Sequence, residues 1–516
     1  MVTATGVSLG RVMKWLAIGA GGLAVTTLAV PIAPEAQQLT ELIVRNGLIV
    51  NADGRSLSDI RIRGEKIVEI GANLSPTAGA REIDAKGMLL LPGAVDTHTH
   101  LNAVPPAQPR PNANTDDYVS GSAAAFAGGV TTVSNFPAIP ATEEPDVYAD
   151  RVISEVHKSA MADVFLHVGM GNDPARFTDV SVFNKLAARG LVSTGEDFLA
   201  RASFDPNVVG WFKAFRVSGE AGVLSMLHCE DWAIMADAQE RMMAQGKGSI
   251  HNFAQSAPAL AEVVAVQRAV SFAEATGSPI YILHTSSGRA LKVAEDAMRR
   301  GLPVYVETRP MYLHLTADVY QRPDVGLYLG GPPLRDKWDQ DMLWEGIAKG
   351  TVHTIGTDHS AYTKAAKLDP TQTIINKRMG LNNLQDYRPM MFSDGVVKGR
   401  ITVEQFVEVT STNAAKLFGL YPRKGVIQVG SDADIVVWDA NMKKIIKDED
   451  QFSNAKYSTY AGWEVTGFPK TTIRRGEVVY DNGKVLAKPG SGKFIPGAKF
   501  SRPTLRPIST FRADSH

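Results

Sequence analysis

Five side chains of types that bind metal ions recur along the chain at spacings that could do chemistry. His98 and His100 stand two residues apart in AVDTHTHLN, His228 ends LSMLH, His284 ends IYILH, and Asp358 lies in TIGTDHS. Imidazole nitrogens and carboxylate oxygens are the usual ligands of zinc and similar cations. Four histidines and an acid suffice for two divalent cations ~3.5–4 Å apart, with a bridging hydroxide available near neutral pH. These residues therefore predict a hydrolytic metal centre.

Each of these signals is weak by itself, and their positions in the chain give them weight. A His-x-His pair in a strand is often a buried, hydrogen-bonded pair. Here the histidines and the acid recur at the ends of successive predicted strands, which chance seldom produces. Of the other histidines, His167 and His359 are interpreted as groups that support the ligands. The rest are interpreted as structural.

Residues 93–423 alternate between short apolar strands and helices, which is typical of a parallel α/β fold. The eight candidate strands are residues 94–100, 130–136, 163–169, 191–197, 223–229, 279–285, 303–308 and 352–358. Eight such strands predict a (β/α)8 TIM-like barrel with its active site at the carboxyl ends of the strands. Side chains alternate along a strand, so His98 and His100 point to the same side, into the barrel.

The segments on either side of the barrel have a different pattern. Residues 39–92 and 424–485 contain β-branched runs with glycine turns, such as DIRIRGEKIVEI and GSDADIVVWD, which predict antiparallel strands. We predict that these two segments together build a smaller β-sandwich domain. Residues 486–516 are rich in Pro, Gly and Ser and carry six basic residues against one acid. They predict a C-terminal tail that packs on a neighbouring subunit.

The composition excludes several classes of function. The 516 residues are 44% hydrophobic and 21% charged, enough for a large core, and 54 basic residues balance 54 acidic ones. This balance gives no bulk field for nucleic acid or an anionic membrane surface. No phosphate loop or dinucleotide fingerprint follows a predicted strand. We expect a small-molecule substrate and no nucleic-acid partner. The single cysteine, Cys229, excludes an intrachain disulfide.

Residues 1–38 predict a signal peptide or a membrane anchor. Arg11 and Lys14 precede an apolar run over 15–30, and no acid occurs among the first 34 residues. The run is short for a membrane-spanning helix, which needs ~20 residues, and two prolines stand where a cleavage site requires small residues. We expect an exported or membrane-anchored protein. The alternative is a cytoplasmic protein whose apolar start is a misread initiation site.

Four long segments between residues 40 and 485 carry a family resemblance. They are SAPALAEVVAVQRAVSFAEATGSPIYILHTSSGRAL, VYVETRPMYLHLT, GGPPLRDKWDQDMLWEGIAKGTVHTIGTDHSAY and TSTNAAKLFGLYPRKGVIQVGSDADIVVWD. With the first histidine pair, they resemble the dihydropyrimidinase and hydantoinase branch of the amidohydrolase superfamily. The resemblance implies two divalent metal ions, with zinc the expected metal, and a homotetramer. It also implies that the four histidines are ligands and that Asp358 is both ligand and proton shuttle.

The resemblance implies a bridge between the two metals, which in the family is a carboxylated lysine on the fourth strand. Lys213, in NVVGWFKAFRVSG, is one candidate, but it stands only fifteen residues before His228. A fourth strand there would leave about six residues for a parallel crossover that needs ~10–12. Four apolar residues between 208 and 215 instead have the spacing of one helix face. We predict a helix with Lys213 exposed to solvent.

The fourth strand must then be LVSTGEDFLA, and Glu196 is the expected bridge. Its side chain reaches two metals better than the shorter Asp197. Asp197, or no bridge at all, are the alternatives, with Glu196 then capping the following turn. Where the resemblance implies a tyrosine that binds the oxyanion, the chain has Ala200 and Arg201. Arg201 is interpreted as a substrate-binding residue, for the oxyanion or for a substrate carboxylate.

Together these features predict a metal-dependent amidohydrolase. By the resemblance, a metal-bound hydroxide hydrolyses a C–N bond of a cyclic amide, imide or ureide, and Asp358 passes the proton to the leaving nitrogen. One alternative is a related hydrolase of other specificity, allantoinase-, dihydroorotase- or linear amidase-like. The other is a non-catalytic dihydropyrimidinase-like protein that acts through its surface, which the surviving set of ligands disfavours.

Overall fold

The computed structural model describes residues 41–102, 114–137, 139–171 and 173–509, and the predicted signal or anchor segment lies outside them. The strands are β1 Glu41–Asn51, β2 Gly54–Arg63, β3 Lys66–Gly71, β4 Arg81–Asp84, β5 Leu89–Pro92, β6 Ala94–Asp96, β7 Val130–Asn135, β8 Asp163–Leu166, β9 Asp197–Phe198, β10 Ser225–His228, β11 Ile280–Ile282, β12 Val304–Thr308, β13 Thr354–Ile355, β14 Ile435–Ile445, β15 Glu464–Arg474, β16 Glu477–Asp481 and β17 Lys484–Val485. The α-helices are α1 Tyr118–Ala127, α2 Pro145–Ser159, α3 Val180–Ala188, α4 Val208–Glu220, α5 Trp232–Ala244, α6 Phe253–Ser256, α7 Ala259–Thr276, α8 Gly288–Arg299, α9 Pro310–His314, α10 Lys337–Lys349, α11 Lys364–Lys367, α12 Tyr387–Met391, α13 Val403–Val407 and α14 Asn413–Leu417. Among the residues described, no helix combines the length and the apolar character needed to cross a membrane.

Eight parallel strands, β6 to β13, form the barrel that the sequence predicted, with helices between successive strands. Strands β6, β7 and β8 pair in order, as do β9 to β13. The backbone N–H of Val168, just after β8, donates to Ser193 O at 3.0 Å and joins the two groups. The N–H of His100 donates to His359 O at 2.8 Å and joins the first strand to the last. These contacts close the barrel.

The strands are shorter than the sequence predicted, above all the fourth. β9 contains only Asp197–Phe198, and the residues before it join the barrel through isolated bridges at Ser193 and Thr194. Gly195 has a φ of 144°, and a Cβ atom there would lie 2.7 Å from the Phe136 ring. The ladder therefore breaks at a position that favours glycine, directly before Glu196.

Apolar side chains fill the barrel below the carboxyl ends of its strands. The cluster contains residues in or next to five strands, which are Val95, Phe165, Leu224, Met226, Tyr281, Leu283 and Tyr305. A larger cluster lies between the strands and the surrounding helices. Because close-packed interiors resist deformation, this core gives the strand ends a rigid base.

The strands at the two ends of the described chain form a single nine-stranded sheet, which confirms that the two segments predicted to build a β-sandwich come together. Its order is β17-β16-β15-β14-β5-β1-β2-β3, and β4 pairs with β1. The pairing of β5 with β14, which sets Leu90 opposite Val437, joins the first part of the chain to the last. Isoleucine and valine side chains of β1, β2 and β14 form a buried cluster of their own.

The described part of the tail, residues 486–509, packs along its own barrel, and its contact with a neighbouring subunit stays a prediction. Its backbone pairs with residues that precede the barrel strands or lie at their starts. The hydrogen bonds are Val164 N to Lys493 O (2.9 Å), Gly497 N to Gly190 O (2.9 Å), Phe500 N to Gly222 O (2.8 Å) and Ser509 N to Lys349 O (3.0 Å). The tail thus covers the end of the barrel opposite the predicted site.

Candidate metal centre

The histidines of the first strand lie together just beyond the end of β6. His98 is fully buried, and the side chain of His100 is 29% exposed. Their Nε2 atoms are 3.2 Å apart. The two rings therefore present nitrogens to the same small volume at the mouth of the barrel, as the alternation of the strand predicted.

His228 and His284, from the ends of the fifth and sixth strands, meet at one oxygen of Glu196. His228 Nδ1 lies 3.0 Å and His284 Nε2 lies 2.9 Å from Glu196 Oε1. Both histidines are buried. His284 has a φ of 33°, an uncommon conformation for a residue other than glycine, and one that clusters at functional sites.

The second oxygen of Glu196 faces the first histidine pair. Oε2 lies 3.7 Å from His100 Nε2 and 4.0 Å from His98 Nε2. Glu196 therefore belongs to two groups whose ligand atoms all lie within 4.8 Å of one another, one with the first pair and one with the second. One carboxylate thus presents a separate oxygen to each pair of histidines.

Asp358, at the end of the eighth strand, joins the side of the first pair. Its Oδ1 lies 2.9 Å from His100 Nε2 and 3.4 Å from His98 Nε2. Its Oδ2 lies 2.7 Å from Nη1 of Arg309, a fully buried arginine. Asp358 also has a positive φ, of 48°. The five residues singled out in the sequence are therefore brought together with Glu196.

The other candidates for the bridge point elsewhere. Lys213 is exposed on α4, within the helix that the sequence predicted. Asp197 Oδ2 accepts a hydrogen bond from Thr194 Oγ1 at 2.7 Å, and Asp197 is absent from the metal-ligand groups found among the described residues. Burial raises the pKa of Asp197 to about 7.

Comparison with known proteins assigns the family of the chain. The model of the amidohydrolase family matches residues 89–479. The chain belongs to the amidohydrolase family. It is 32% identical to the D-hydantoinase of Geobacillus stearothermophilus over 467 residues, which cover 89% of this chain and 97% of that protein. It is also 32% identical to the D-phenylhydantoinase of Escherichia coli over 472 residues, 90% of this chain and 100% of that protein.

A solved structure gives the same assignment for the fold. The crystal structure of dihydropyrimidinase from Brevibacillus agri NCHU1002 superposes with a TM-score of 0.81 at 31% identity, covering 90% of this chain and 100% of that one. This amidohydrolase therefore lies in the dihydropyrimidinase and hydantoinase branch, and the resemblance predicted from the sequence is confirmed.

Two acids that the sequence did not single out hydrogen-bond to the candidate ligand histidines of this amidohydrolase. Glu307, which is fully buried, lies 2.9 Å from His98 Nδ1 and also accepts hydrogen bonds from Thr97 Oγ1, Tyr281 OH and the backbone N–H of His284. Glu230 Oε2 lies 2.8 Å from His228 Nε2. The sequence offers a signal for Glu230, which follows His228 by two residues, whereas Glu307 is the penultimate residue of β12 and has its partners on other strands.

The two histidines interpreted as supporting groups, His167 and His359, hydrogen-bond to residues near the site. His167 Nε2 lies 3.1 Å from Thr97 O, and its Nδ1 lies 2.6 Å from Ser193 Oγ. His359 Nε2 lies 2.7 Å from Asp116 Oδ2. Both rings are fully buried. His167 thus binds the backbone next to His98, and His359 binds a carboxylate, so the ring nitrogens of both contact groups other than the four candidate ligand histidines.

The electrostatics of the amidohydrolase site favour positive charge. Burial lowers the pKa of His98, but Asp358, Glu307 and Glu196 outweigh burial and raise that pKa to about 9. Hydrogen bonds to Glu196 and Glu230 likewise overcome burial and raise the pKa of His228 to about 10. Buried carboxylates thus surround the histidines with the potential that a cation site requires.

A cavity of about 220 Å³ opens over the centre. His100, Glu196, His228 and Asp358 line its floor, and its walls include Phe198, Gly331, Ser360, Met379 and Gly380. Arg201 stands behind this wall, with its guanidinium 4.1 Å from the centre of the Phe198 ring and Nη1 donating to Gly171 O at 3.4 Å. A substrate in the cavity would therefore contact both polar and apolar groups.

Proposed function

We propose that this amidohydrolase opens a cyclic amide, imide or ureide by hydrolysis of a C–N bond, with two divalent cations, zinc foremost, held at the centre described above. Membership of the family makes the protein a metal-dependent hydrolase of C–N bonds other than peptide bonds. The relatives reported above are named for hydantoins and dihydropyrimidines, which makes those rings the first candidates for its substrate.

The observation that carries the proposal is the orientation of the Glu196 carboxylate, with Oε1 toward one histidine pair and Oε2 toward the other. The donor set is rich in imidazole nitrogen, which suits zinc. We propose His98, His100, Glu196 and Asp358 as ligands of one ion, and Glu196, His228 and His284 as ligands of the other. When bound, two such ions polarise a carbonyl and lower the pKa of a water molecule so that hydroxide forms near neutral pH.

The chain's own residues supply proton transfer and orientation. Asp358 is proposed to accept a proton from the attacking water and to return it to the leaving nitrogen. Arg309, 2.7 Å from its other oxygen, holds the carboxylate in one orientation. Burial would raise the pKa of Asp358, but the charge of Arg309, followed by those of His98 and His100, holds it well below its usual value. Arg201, which stacks on Phe198 outside the lining of the cavity, is proposed to bind the oxyanion or a substrate carboxylate after its side chain turns toward the cavity.

The test is elemental analysis of the purified protein followed by a hydrolysis screen. The panel contains hydantoins, dihydropyrimidines, allantoin, dihydroorotate and linear acyl amino acids. We expect two divalent ions per chain and ring opening of a hydantoin or a dihydropyrimidine. Protein without metal would support the non-catalytic alternative. Hydrolysis of linear amides alone would contradict the assignment of a cyclic substrate.

Three further features are proposed with the function. We propose that residues 1–38 export or anchor the protein, because positive charges precede an apolar run there. We also propose the division into 39–92, 93–423, 424–485 and 486–516, and assembly as a homotetramer. Fractionation of the native host and the solution mass of the purified protein test export and assembly. A protein confined to the cytoplasm, or a monomer, would contradict them.

A further inference from the structure

A buried lysine joins three chain segments beside the cavity. Lys367, the last residue of α11, is fully buried. Its Nζ atom donates to the backbone carbonyl oxygens of Leu329 at 2.8 Å, Arg378 at 2.8 Å and Gly380 at 2.7 Å. These acceptors belong to two loops that are distant from each other in sequence. One side chain therefore ties both loops to α11.

Among the described residues, the hydrogen-bond partners of Lys367 Nζ are three backbone carbonyl oxygens. The two charged residues that influence it, Arg309 and Arg378, are both positive, and after burial itself they help hold the pKa of Lys367 well below its usual value. The three carbonyl oxygens nevertheless use three N–H donors, which only the protonated amine has. Lysine is almost never fully buried unless it is paired. Burying a lysine in this way costs free energy, so the segments that Lys367 holds together are of interest.

Those segments form the wall of the cavity over the candidate centre. Gly331 follows Leu329 by two residues, and Met379 and Gly380 follow Arg378 directly; all three line the cavity. The N–H of Gly380 also donates to Leu329 O at 3.0 Å. Gly380 has a φ of 145°, and a Cβ there would lie 2.3 Å from Ser360 O. Backbone segments in close contact with one another therefore form this wall of the cavity.

We propose that Lys367 is a positioning residue that fixes this wall and thereby sets the affinity for the substrate. The inference rests on the proposed function to the extent that the substrate binds in the cavity lined by Gly331, Met379 and Gly380. In the part of the chain that the structure describes, the hydrogen bonds of Lys367 Nζ go to backbone carbonyl oxygens and not to the proposed metal ligands. Its removal should therefore change the wall while leaving the metal centre intact.

The matched pair of variants is Lys367→Met and Lys364→Met. Both change a lysine of α11, but Lys364 is exposed and its Nζ lies 2.8 Å from Asp448 Oδ2. Such surface ion pairs contribute little to stability. In either variant Gln372 still connects α11 to the loop at Arg378. Its Nε2 donates to Lys367 O at 2.6 Å, and its Oε1 accepts from Arg378 N at 2.7 Å.

The first readout is hydrogen exchange of the holoenzyme without substrate, followed by mass spectrometry. For Lys367→Met we expect exchange of the segments 326–332 and 376–382 to rise about tenfold, with Lys364→Met like the wild type. The second readout uses the best substrate of the hydrolysis screen. There we expect KM to rise about fivefold or more and kcat to stay within about twofold, at unchanged metal content.

Equal exchange in the two variants, or a lower unfolding temperature with unchanged KM, would overturn the proposal. If Lys367→Met does not fold, Lys367→Gln, which retains two N–H donors, gives the second test with the same expected direction. Failure of both to fold would make Lys367 a general stability residue and also overturn it. A wild type that hydrolyses nothing in the screen would contradict the proposed function, whereas hydrogen exchange still decides the role of Lys367.

Discussion

Single residues decide what this centre can bind, and Glu196 is the most informative of them. A lysine ammonium would repel two cations, and it becomes a bridge only after carboxylation. Glu196 has two anionic oxygens of its own, and each of them faces a different histidine pair. The sequence led to this residue by topology, because Lys213 stands too close to His228 for a parallel crossover.

The spacing of residues in the sequence did not indicate the role of Glu307. It lies between apolar and hydroxyl-bearing residues of β12, where an acid in a single sequence has no visible partner. Its partners come from the first and sixth strands, more than 20 residues away in sequence. Only the closed barrel brings these strands next to one another. Long-range partners of this kind limit what spacing can predict.

We predict that Glu307→Gln weakens metal binding by about 10–100-fold, the usual effect of losing the partner that orients a histidine ligand. An amide offers one acceptor oxygen in place of the two that hold His98, Thr97 and Tyr281. Competition with a chelator measures the dissociation constant. Glu408→Gln is the matched control, since Glu408 is also buried but pairs with Arg506 at 2.9 Å. Equal metal affinity in the two variants would contradict the assigned role.

At the scale of elements, the eight strands and α4 were predictable and the lengths of the strands were not. Apolar runs ending in polar residues located each strand. The paired segments are short because the chain kinks or bends near the site, as at Gly195, and pairing across the barrel continues through isolated bridges. Periodicity in one sequence carries no information about such bends.

A histidine side chain takes part in the pairing of β12 with β13, the last strand of the barrel. This contact makes the stability of the fold depend on pH. Val306 N donates to His353 Nδ1 at 3.1 Å, directly before β13. Burial, followed by the charge of Arg506, lowers the pKa of His353 to about 4. The unfolded chain binds this proton near the ordinary histidine value of about 6.5. The stabilisation is therefore complete above that value and is lost as the pH falls from there through about 4.

We predict that His353→Asn, which retains an acceptor atom but no titrating group, makes stability less dependent on pH in this window. One proton bound more tightly by the unfolded state corresponds to a slope of about 1.4 kcal/mol per pH unit. Unfolding by denaturant at several pH values between 7 and 4 measures the difference from the wild type. His157→Asn, at an exposed position of α2, is the control. Parallel pH profiles for wild type and His353→Asn would contradict the prediction.

At the scale of the whole molecule, the joining of both chain ends into one sheet was predictable from matching strand patterns, and the path of the tail was not. Residues 486–509 are rich in Pro and Gly and lack a hydrophobic period. Their partners are backbone groups at the starts of barrel strands, such as Gly190 and Gly222. A backbone partner leaves no mark on the sequence, so no pattern could identify it. The tail and the centre lie at opposite ends of the barrel.

Whether Glu196 joins two cations is decided by the metal content of three purified proteins: wild type, Glu196→Ala and Lys213→Ala. If the Glu196 carboxylate joins two cations, the wild type contains about two ions per chain, and Glu196→Ala loses one or both. Lys213→Ala, changed at an exposed position of α4, keeps the metal content and the rate of the wild type. The reverse pattern, with metal retained in Glu196→Ala and lost in Lys213→Ala, would contradict the account.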